Sequence, residues 1–332
     1  MKELTYHRAT DAAEAVALVA DDPDARFLGG GTNLVDHLKL GVARPGTLVD
    51  VSRLPLDSVE ELPNGGLRIG AAVRNSDLAA HPAVRRGFPA VARALLAGAS
   101  GQIRHQATTA GNLLQRTRCV YFQDVTTPCN KREPGSGCSA LEGYGRYNAI
   151  LGASEACVTT HPSDLAVALT ALDAVVVVLG PDGERRVPMT ELHRLPGHHP
   201  EHDTVLRHGD LITAVELPGS AVASASTYAK ARDRASYAFA LVSVAAAVDL
   251  DGGEGGRVRD VRLAWGGVAH RPWRAYVAEE ALRGAVLTEE TAREAAAAEL
   301  AAASTTGQTA YKVAMVRNLT AHTLLRLAGG AR

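Results

Sequence analysis

No stretch of this sequence approaches the roughly 18 consecutive apolar residues needed to cross a bilayer, so membrane insertion is not expected. Charge of one sign is missing too. With 35 basic against 36 acidic side chains and a formal net charge of -1, there is no electrostatic footprint for nucleic acid or an anionic membrane surface, and neither is expected as a partner. Aromatic residues make up only 4% of the chain, while alanine and glycine are abundant. That balance favours closely packed helices and a ligand gripped by main chain over a large aromatic pocket. The opening Met1-Lys2-Glu3-Leu4-Thr5-Tyr6-His7 lacks the apolar core of a signal peptide, so a cytoplasmic chain is expected. Export of an assembled complex through a partner's signal, to the periplasm or cell exterior, stays open. What is present is 332 residues with 46% hydrophobic side chains, enough for a proper core and for two or three domains.

Asp11 to Ala20 carries apolar residues at helical spacing, and Ala25 to Leu28 reads as a short strand running into glycines. Thr47 to Val51 and Leu67 to Ala72 read as extended segments with Pro63-Asn64-Gly65-Gly66 supplying a turn between them. His81 to Ala99 has a helical pattern, whereas Ser100 to Gly152 is rich in Gly, Pro, Arg and Cys and has little periodicity. A loop of that length inside a compact domain is usually functional. Asp164 to Leu172 is expected as a helix and Ala174 to Leu179 as a strand, turning at Pro181-Asp182-Gly183 into Arg185 to Met189. Pro218-Gly219-Ser220 marks the expected domain boundary. Beyond it, Ser226 to Arg232, Val242 to Leu250 and Val258 to Val268 read as strands, two of them joined by Gly252-Gly253-Glu254-Gly255-Gly256. Helices over Thr288 to Ala303 and Thr309 to Leu327 complete a small α+β unit.

Four groups of residues carry chemical information. In Phe27-Leu28-Gly29-Gly30-Gly31-Thr32-Asn33-Leu34 a strand ends in three glycines, which would let backbone N–H groups approach a phosphate, with Thr and Asn adding donors. A tight turn explains the same residues. The GxGxxG spacing of a Rossmann loop is absent, which disfavours a nicotinamide site here. Gln106-Ala107-Thr108-Thr109-Ala110-Gly111-Asn112-Leu113-Leu114-Gln115 again sets small residues beside hydrogen-bonding ones, as a second ligand contact or as a simple turn. Thr159-Thr160-His161-Pro162-Ser163-Asp164 looks like a helix start in which Ser163 or Asp164 acts as a cap. The fourth group is the cysteines. Cys119, Cys129, Cys138 and Cys157 are the only four, and all fall in or just beyond the aperiodic region. Core cysteines would scatter, and disulfides are rare under reducing conditions, so metal ligation is the better account. No C-x-x-C pair is present, which argues against common zinc modules, while four cysteines suit a [4Fe-4S] cluster. Arg116, Arg118, Lys131 and Arg132 stand near these ligands in sequence and could offset their negative charge, or form a solvated basic loop.

Taken in order, Leu28 to Leu34, Thr108 to Gln115, Thr-His-Pro-Ser-Asp at 160–164, Tyr228-Ala229-Lys230 and Ala264-Trp265-Gly266-Gly267-Val268-Ala269 resemble the FAD subunit of molybdenum hydroxylases. This family includes the FAD domains of xanthine dehydrogenase and aldehyde oxidase and the medium chain of carbon monoxide dehydrogenase, and the match spans nearly the whole chain. The blocks Gly111 to Cys119, Pro128 to Arg132 and Gly135 to Gly143 resemble the bacterial aldehyde-oxidising branch, whose FAD subunit carries an added [4Fe-4S] cluster.

The resemblance implies an α+β fold: a two-part α/β FAD-binding domain over 1–220, with the iron-sulfur loop at about 115–158, then a small α+β domain over 221–332 whose antiparallel sheet packs on helices. It implies that Leu28 to Leu34 (Leu28, Gly29, Gly30, Gly31, Thr32, Asn33, Leu34), Thr108, Gly111 and Asn112 hold the FAD phosphates, with Phe27 and Ala110 also among the cofactor-binding residues. Asp164 would bind a sugar or ribityl hydroxyl, with Leu114, Gln115, Ile212 and Lys230 nearer the flavin. The family pattern has two glycines before the Asn, and this chain has Ala110-Gly111 instead. Cys119, Cys129, Cys138 and Cys157 would ligate the cluster. The implied partners are a small subunit with two [2Fe-2S] clusters, a large molybdenum-cofactor subunit where substrate is hydroxylated, and an external electron acceptor. No residue of this chain need act as nucleophile or general acid, so histidines such as His161, His198 and His199 are expected to be exposed or structural. Two other classes remain open on the residues alone: a self-contained flavin oxidoreductase, and a non-redox zinc-binding subunit.

Overall fold

The computed structural model describes residues 3–253 and 255–329; Met1, Lys2, Glu254 of the glycine turn and the last three positions of the C-terminal domain lie outside the described residues. The chain begins with three short parallel strands, β1 (Thr5–Arg8), β2 (Ala25–Leu28) and β3 (Thr47–Asp50), in the order β1-β3-β2. Helices α1 (Ala12–Asp21) and α2 (Leu34–Leu40) make the crossovers. The Asp11 carboxylate accepts the Glu14 N–H at 2.8 Å and so caps α1, whose Ala15, Val16 and Val19 pack on Ala25 and Val49. β2 opens directly into the glycines.

Next comes an antiparallel sheet of β4 (Val59–Glu61), β5 (Leu67–Gly70), β6 (Val175–Gly180), β7 (Gly183–Pro188) and β8 (Leu211–Leu217), ordered β4-β5-β8-β6-β7. Between β5 and β6 run α3 (Asn75–Ala80), α4 (Pro82–Gly87), α5 (Pro89–Ala97), α6 (Gly101–Gln106), α7 (Thr109–Leu113), α8 (Val120–Gln123) and α9 (Asp164–Ala171), and α10 (Met189–Leu192) follows β7. α5 and α9 are buried along most of their lengths and form the largest core with β5, β6 and β8. The third unit is an antiparallel sheet of β9 (Ser226–Ala231), β10 (Val242–Asp251), β11 (Arg257–Gly266) and β12 (Trp273–Arg274), ordered β12-β11-β10-β9. It is covered by α11 (Tyr276–Leu282), α12 (Glu289–Leu300) and α13 (Tyr311–Ala328), around a core that includes fully buried Trp265. The fold is therefore the α+β arrangement expected, a two-part α/β region followed by a helix-covered antiparallel sheet.

Three local expectations change. The Pro63–Gly66 turn joins β5 to the three-residue β4 rather than to β3, which belongs to the other sheet. The 81–99 helix is broken at Phe88 (φ -141°, ψ 54°), because Pro89 has no N–H to continue the ladder and disfavours a helical residue before it. The aperiodic region contains α6, α7 and α8, each only four to six residues long.

Candidate cofactor site

Two main-chain segments meet behind the site. After β2, Gly29-Gly30-Gly31 passes so close to Gln106 and Ala107 that a Cβ on Gly30 would lie 2.1 Å from the Gln106 carbonyl oxygen. Only glycine permits that approach, and Gly31 additionally sits at φ 73°. On the other segment Thr108 Oγ1 accepts the Gly111 N–H at 3.2 Å, and a Cβ on Gly111 would stand 2.9 Å from that oxygen. Asn33 ties the two together, its Oδ1 accepting the Arg116 N–H at 3.0 Å.

These segments border a cavity of about 600 Å³, which reaches between α5, α6, α9 and the sheet of the C-terminal unit. Thr32, Asn33, Gly111, Asn112, Gln115, Asp164 and Lys230 line it. The Ser163 hydroxyl accepts the Ala166 N–H at 3.0 Å, so Ser163 caps α9 and the Asp164 carboxylate is left for other work. It accepts from Tyr228 Oη at 2.5 Å and from Lys230 Nζ at 2.7 Å. This is a buried, charge-assisted pair at the cavity wall. Burial, and then the neighbouring Asp164 charge, push the Tyr228 phenol well above its ordinary range.

The remaining expected contacts lie elsewhere. Gly29, Gly30, Gly31 and Thr108 form the layer behind the lining, and Phe27 and Leu28 end β2. Leu34 opens α2, Ala110 packs on the core and Leu114 is exposed. Ile212 is not brought to the cavity: its side chain is 2% exposed within the core, because β8 is the middle strand of its sheet and is buried on both faces.

Among the other lining groups Asn75 was not singled out from sequence, and Arg118 and His161 were read there only in other roles. Asn75 Oδ1, Arg118 Nε and His161 Nε2 are sealed from solvent and have no hydrogen-bond partner within the protein, yet all three residues face the cavity. These three atoms are closed off from the cavity as well as from bulk solvent, so it is other atoms of Asn75, Arg118 and His161 that line it. His161, expected to be exposed or structural, stacks on His193 with ring centroids 4.1 Å apart, and burial drives its pKa well below the ordinary range. His198 and His199 are exposed. A cavity of this volume, bordered by two glycine-containing main-chain segments and by polar side chains such as Thr32, Asn33, Asn112 and Gln115, fits a dinucleotide cofactor with a phosphate bridge.

A second, much smaller cavity lies beside the first. Cys119, Cys129, Cys138 and Cys157 all border it, and all four are free thiols. Cys129 and Cys138 face each other as an isolated antiparallel bridge, and Cys157 pairs with Ser154 in a tight turn. Main-chain N–H groups of Tyr121 and Phe122 point to the Cys119 sulfur, those of Ala140 and Leu141 to Cys138, and that of Thr159 to Cys157. Cys138 and Cys157 hydrogen-bond each other, which lowers the Cys138 thiol to about 6 and raises Cys157. Burial raises Cys119. Among the described residues no group of three or more His, Cys, Asp or Glu is placed to hold a metal ion. Thr117, Cys119 and Thr159 border both cavities, so one wall separates them.

The four basic side chains near the cysteines are mostly committed to other partners. Lys131 borders the small cavity, but its Nζ donates to Asp203 at 2.5 Å and to the Pro200 carbonyl at 2.6 Å. Arg116 pairs with the same carboxylate at 2.6 Å. Burial alone would raise Asp203, but these two cations overcome it and hold the carboxyl well below the usual range. Arg132 donates to the carbonyls of Tyr121, Phe122 and Thr127, and Arg118 faces the large cavity.

Fold and site together are those of a protein with a cavity sized for a dinucleotide cofactor between a two-part α/β region and a C-terminal α+β unit. Residues 2–220 match the family described as FAD binding domain in molybdopterin dehydrogenase, and residues 226–327 match the CO dehydrogenase flavoprotein C-terminal domain. The chain belongs to the FAD-binding medium subunits of molybdenum hydroxylases. It is 50% identical over 326 residues, 98% of each chain, to the aldehyde oxidoreductase FAD-binding subunit PaoB of Escherichia coli (strain K12). It is 27% identical to the glyceraldehyde dehydrogenase medium chain of Sulfolobus acidocaldarius, over 89% of this chain and 86% of that one. Carbon monoxide dehydrogenase from Hydrogenophaga pseudoflava superposes with a TM-score of 0.76 at 25% identity, covering 99% of this chain and 98% of that chain. Among the described residues no helix is long and apolar enough to cross a membrane.

Proposed function

We propose that this chain is the FAD and [4Fe-4S] electron-transfer subunit of a heteromeric, aldehyde-oxidising molybdenum hydroxylase. The observation that carries the reading is the shared wall: all four cysteines of the chain border one small cavity, and Cys119 borders the flavin-sized cavity as well. Main-chain N–H groups aimed at the sulfurs suit thiolate ligands, because such bonds stabilise the anionic form and tune a cluster. The 50% identity to an aldehyde oxidoreductase FAD-binding subunit supports an aldehyde as the substrate of the complex.

In this reading Thr32, Asn33, Gly111 and Asn112 face the FAD phosphates, with Leu28 to Gly31 and Thr108 to Ala110 as the main-chain layer that supports them; Asp164 and Lys230 hold a hydroxyl-bearing part of the cofactor, and Gln115 lies nearer the ring. Asn75, Arg118 and His161 line the same cavity. Cys119, Cys129, Cys138 and Cys157 hold the cluster. Bound FAD supplies the capacity to take up electrons singly and release one or two. The protein's own task is to bind, orient and shield. The partners are a small subunit with two [2Fe-2S] clusters, which delivers electrons, and a large molybdenum-cofactor subunit where the aldehyde is oxidised; an external acceptor then removes the electrons. We assign the flavin-binding domain to 1–220 and the C-terminal domain to 221–332, close to the limits of the two family matches. Free cysteines fit a reducing cytoplasm, with export alongside a signal-bearing partner as the alternative.

The test is anaerobic addition of an aromatic aldehyde to the chain alone and to the chain co-purified with its partner subunits. Bleaching of the flavin absorbance in the complex only is the expected result. Bleaching in the isolated chain would overturn the reading in favour of a self-contained flavin oxidoreductase.

A further inference from the structure

The segment from Gly143 to Asn148 has no regular secondary structure, yet it connects the cysteine loop to the large cavity, which Tyr144, Tyr147 and Asn148 line. A loop without its own hydrogen-bond ladder needs a template. The C-terminal domain provides one. Gln308 Oε1 accepts the Gly145 N–H at 2.8 Å, and its Nε2 donates to the Gly143 carbonyl at 3.0 Å. At the start of α13, Tyr311 Oη donates to the Arg146 carbonyl at 2.9 Å.

Lys312 completes the grip. It is fully buried, and its Nζ donates to the carbonyls of Tyr147 at 3.1 Å, Asn148 at 2.8 Å and Gly267 at 2.7 Å. Three donors are all that an ammonium has, and each is used on main chain. Gly267 also lines the cavity, at φ 72°, where a Cβ would strike the Leu241 carbonyl at 2.8 Å. One side chain thus fastens two separate walls of the cavity to one helix. Every one of these bonds is to backbone, so what is fixed is the path of the segment.

We infer that Gln308, Tyr311 and Lys312 are positioning residues for the flavin site, through which the C-terminal domain sets the cavity wall that adjoins the cysteine loop. The inference rests on the cavity holding FAD, as proposed above. A purely structural clamp would lower stability without changing cofactor binding; a positioning clamp couples the two, and the coupling is reciprocal.

The experiment uses the full chain and two variants, Gln308→Ala/Tyr311→Phe, which leaves the buried core intact, and Lys312→Met. FAD dissociation is read from recovered free-flavin fluorescence, and hydrogen exchange is followed at the 144–148 amides with and without FAD. One net hydrogen bond corresponds to about a fivefold change in an equilibrium constant. The double variant is expected to weaken FAD at least that much and to lose the FAD-dependent protection of 144–148, and Lys312→Met to do more. FAD affinity within about twofold of wild type in the double variant, with 144–148 still protected by FAD, overturns the inference alone. A wild-type chain that binds no FAD overturns the cavity reading and this inference together.

Discussion

Replacing Gly30 with alanine tests the cradle at its tightest point. The added Cβ would stand 2.1 Å from the Gln106 carbonyl oxygen, 3.0 Å from its carbon and 3.2 Å from Ala107 Cα. All three are main-chain atoms, so no side chain can swing aside. The two segments must part by about 1 Å, which shifts the main chain bordering the cavity. Overpacking also costs about 1–3 kcal/mol of stability, which the chain should survive. Gly87→Ala is the control, since nothing lies within 4 Å of a Cβ there. FAD titration of both variants, followed by flavin fluorescence, should show about tenfold or more weaker binding for Gly30→Ala, the scale of the overpacking strain, and wild-type binding for Gly87→Ala. Wild-type affinity in a folded Gly30→Ala chain would refute the assignment of the phosphate cradle to this pair of segments.

Asp164→Asn should leave Lys230 buried without its counter-charge and lower stability by about 3 kcal/mol in urea unfolding, with weaker FAD retention. An unchanged unfolding midpoint would contradict the paired description. Burial lowers His193 to about 4 and His270 to about 3, so both are neutral in the folded chain below the pH at which they protonate when unfolded. Their contribution is therefore complete above about pH 6.5 and is lost as pH falls toward those values, since the unfolded state then binds more protons. Each amounts to about 2 kcal/mol between pH 6.5 and pH 5. Urea midpoints at pH 7 and pH 5 should differ less in His270→Phe than in wild type; an equal drop would remove His270 from the account. Cys119→Ser should cut iron content while FAD stays bound, because the thiol borders the flavin cavity without being part of the glycine cradle; loss of both together would show that the two sites are not separable.

Elements that repeat a pattern were readable from the sequence. Apolar residues at helical spacing from Asp11 gave α1, Pro181-Asp182-Gly183 gave the β6–β7 hairpin, and the 288–303 segment gave α12, whose capping box between Thr288 and Thr291 the structure adds. β1 was missed because all four of its residues are exposed, which leaves no alternation to detect. β8 was missed for the opposite reason: as a middle strand buried on both faces, it shows a nearly continuous apolar run. At the site, the glycine loop and the four cysteines could be read as groups because their chemistry depends on clustered residue types. Asn75 could not, since it is a single polar residue outside any motif, and Arg118 and His161 were legible only as a charge beside the cysteines and as part of a helix start, not as cavity lining. Ile212 marks the same limit from the other side: strand burial, invisible in a local motif, decides where its side chain goes. The basic residues beside the cysteines were legible as charges, but their partner Asp203 is more than 70 residues away in sequence from Lys131.

The most direct test of the account is the cofactor content of the chain purified without oxygen, by flavin extraction, iron and sulfide assay and visible spectrum, repeated with each of Cys119, Cys129, Cys138 and Cys157 changed to serine. The account predicts about one FAD with about four iron and four sulfide per chain, and loss of the iron in every serine variant. Zinc in place of iron, or flavin with no iron at all, would contradict it.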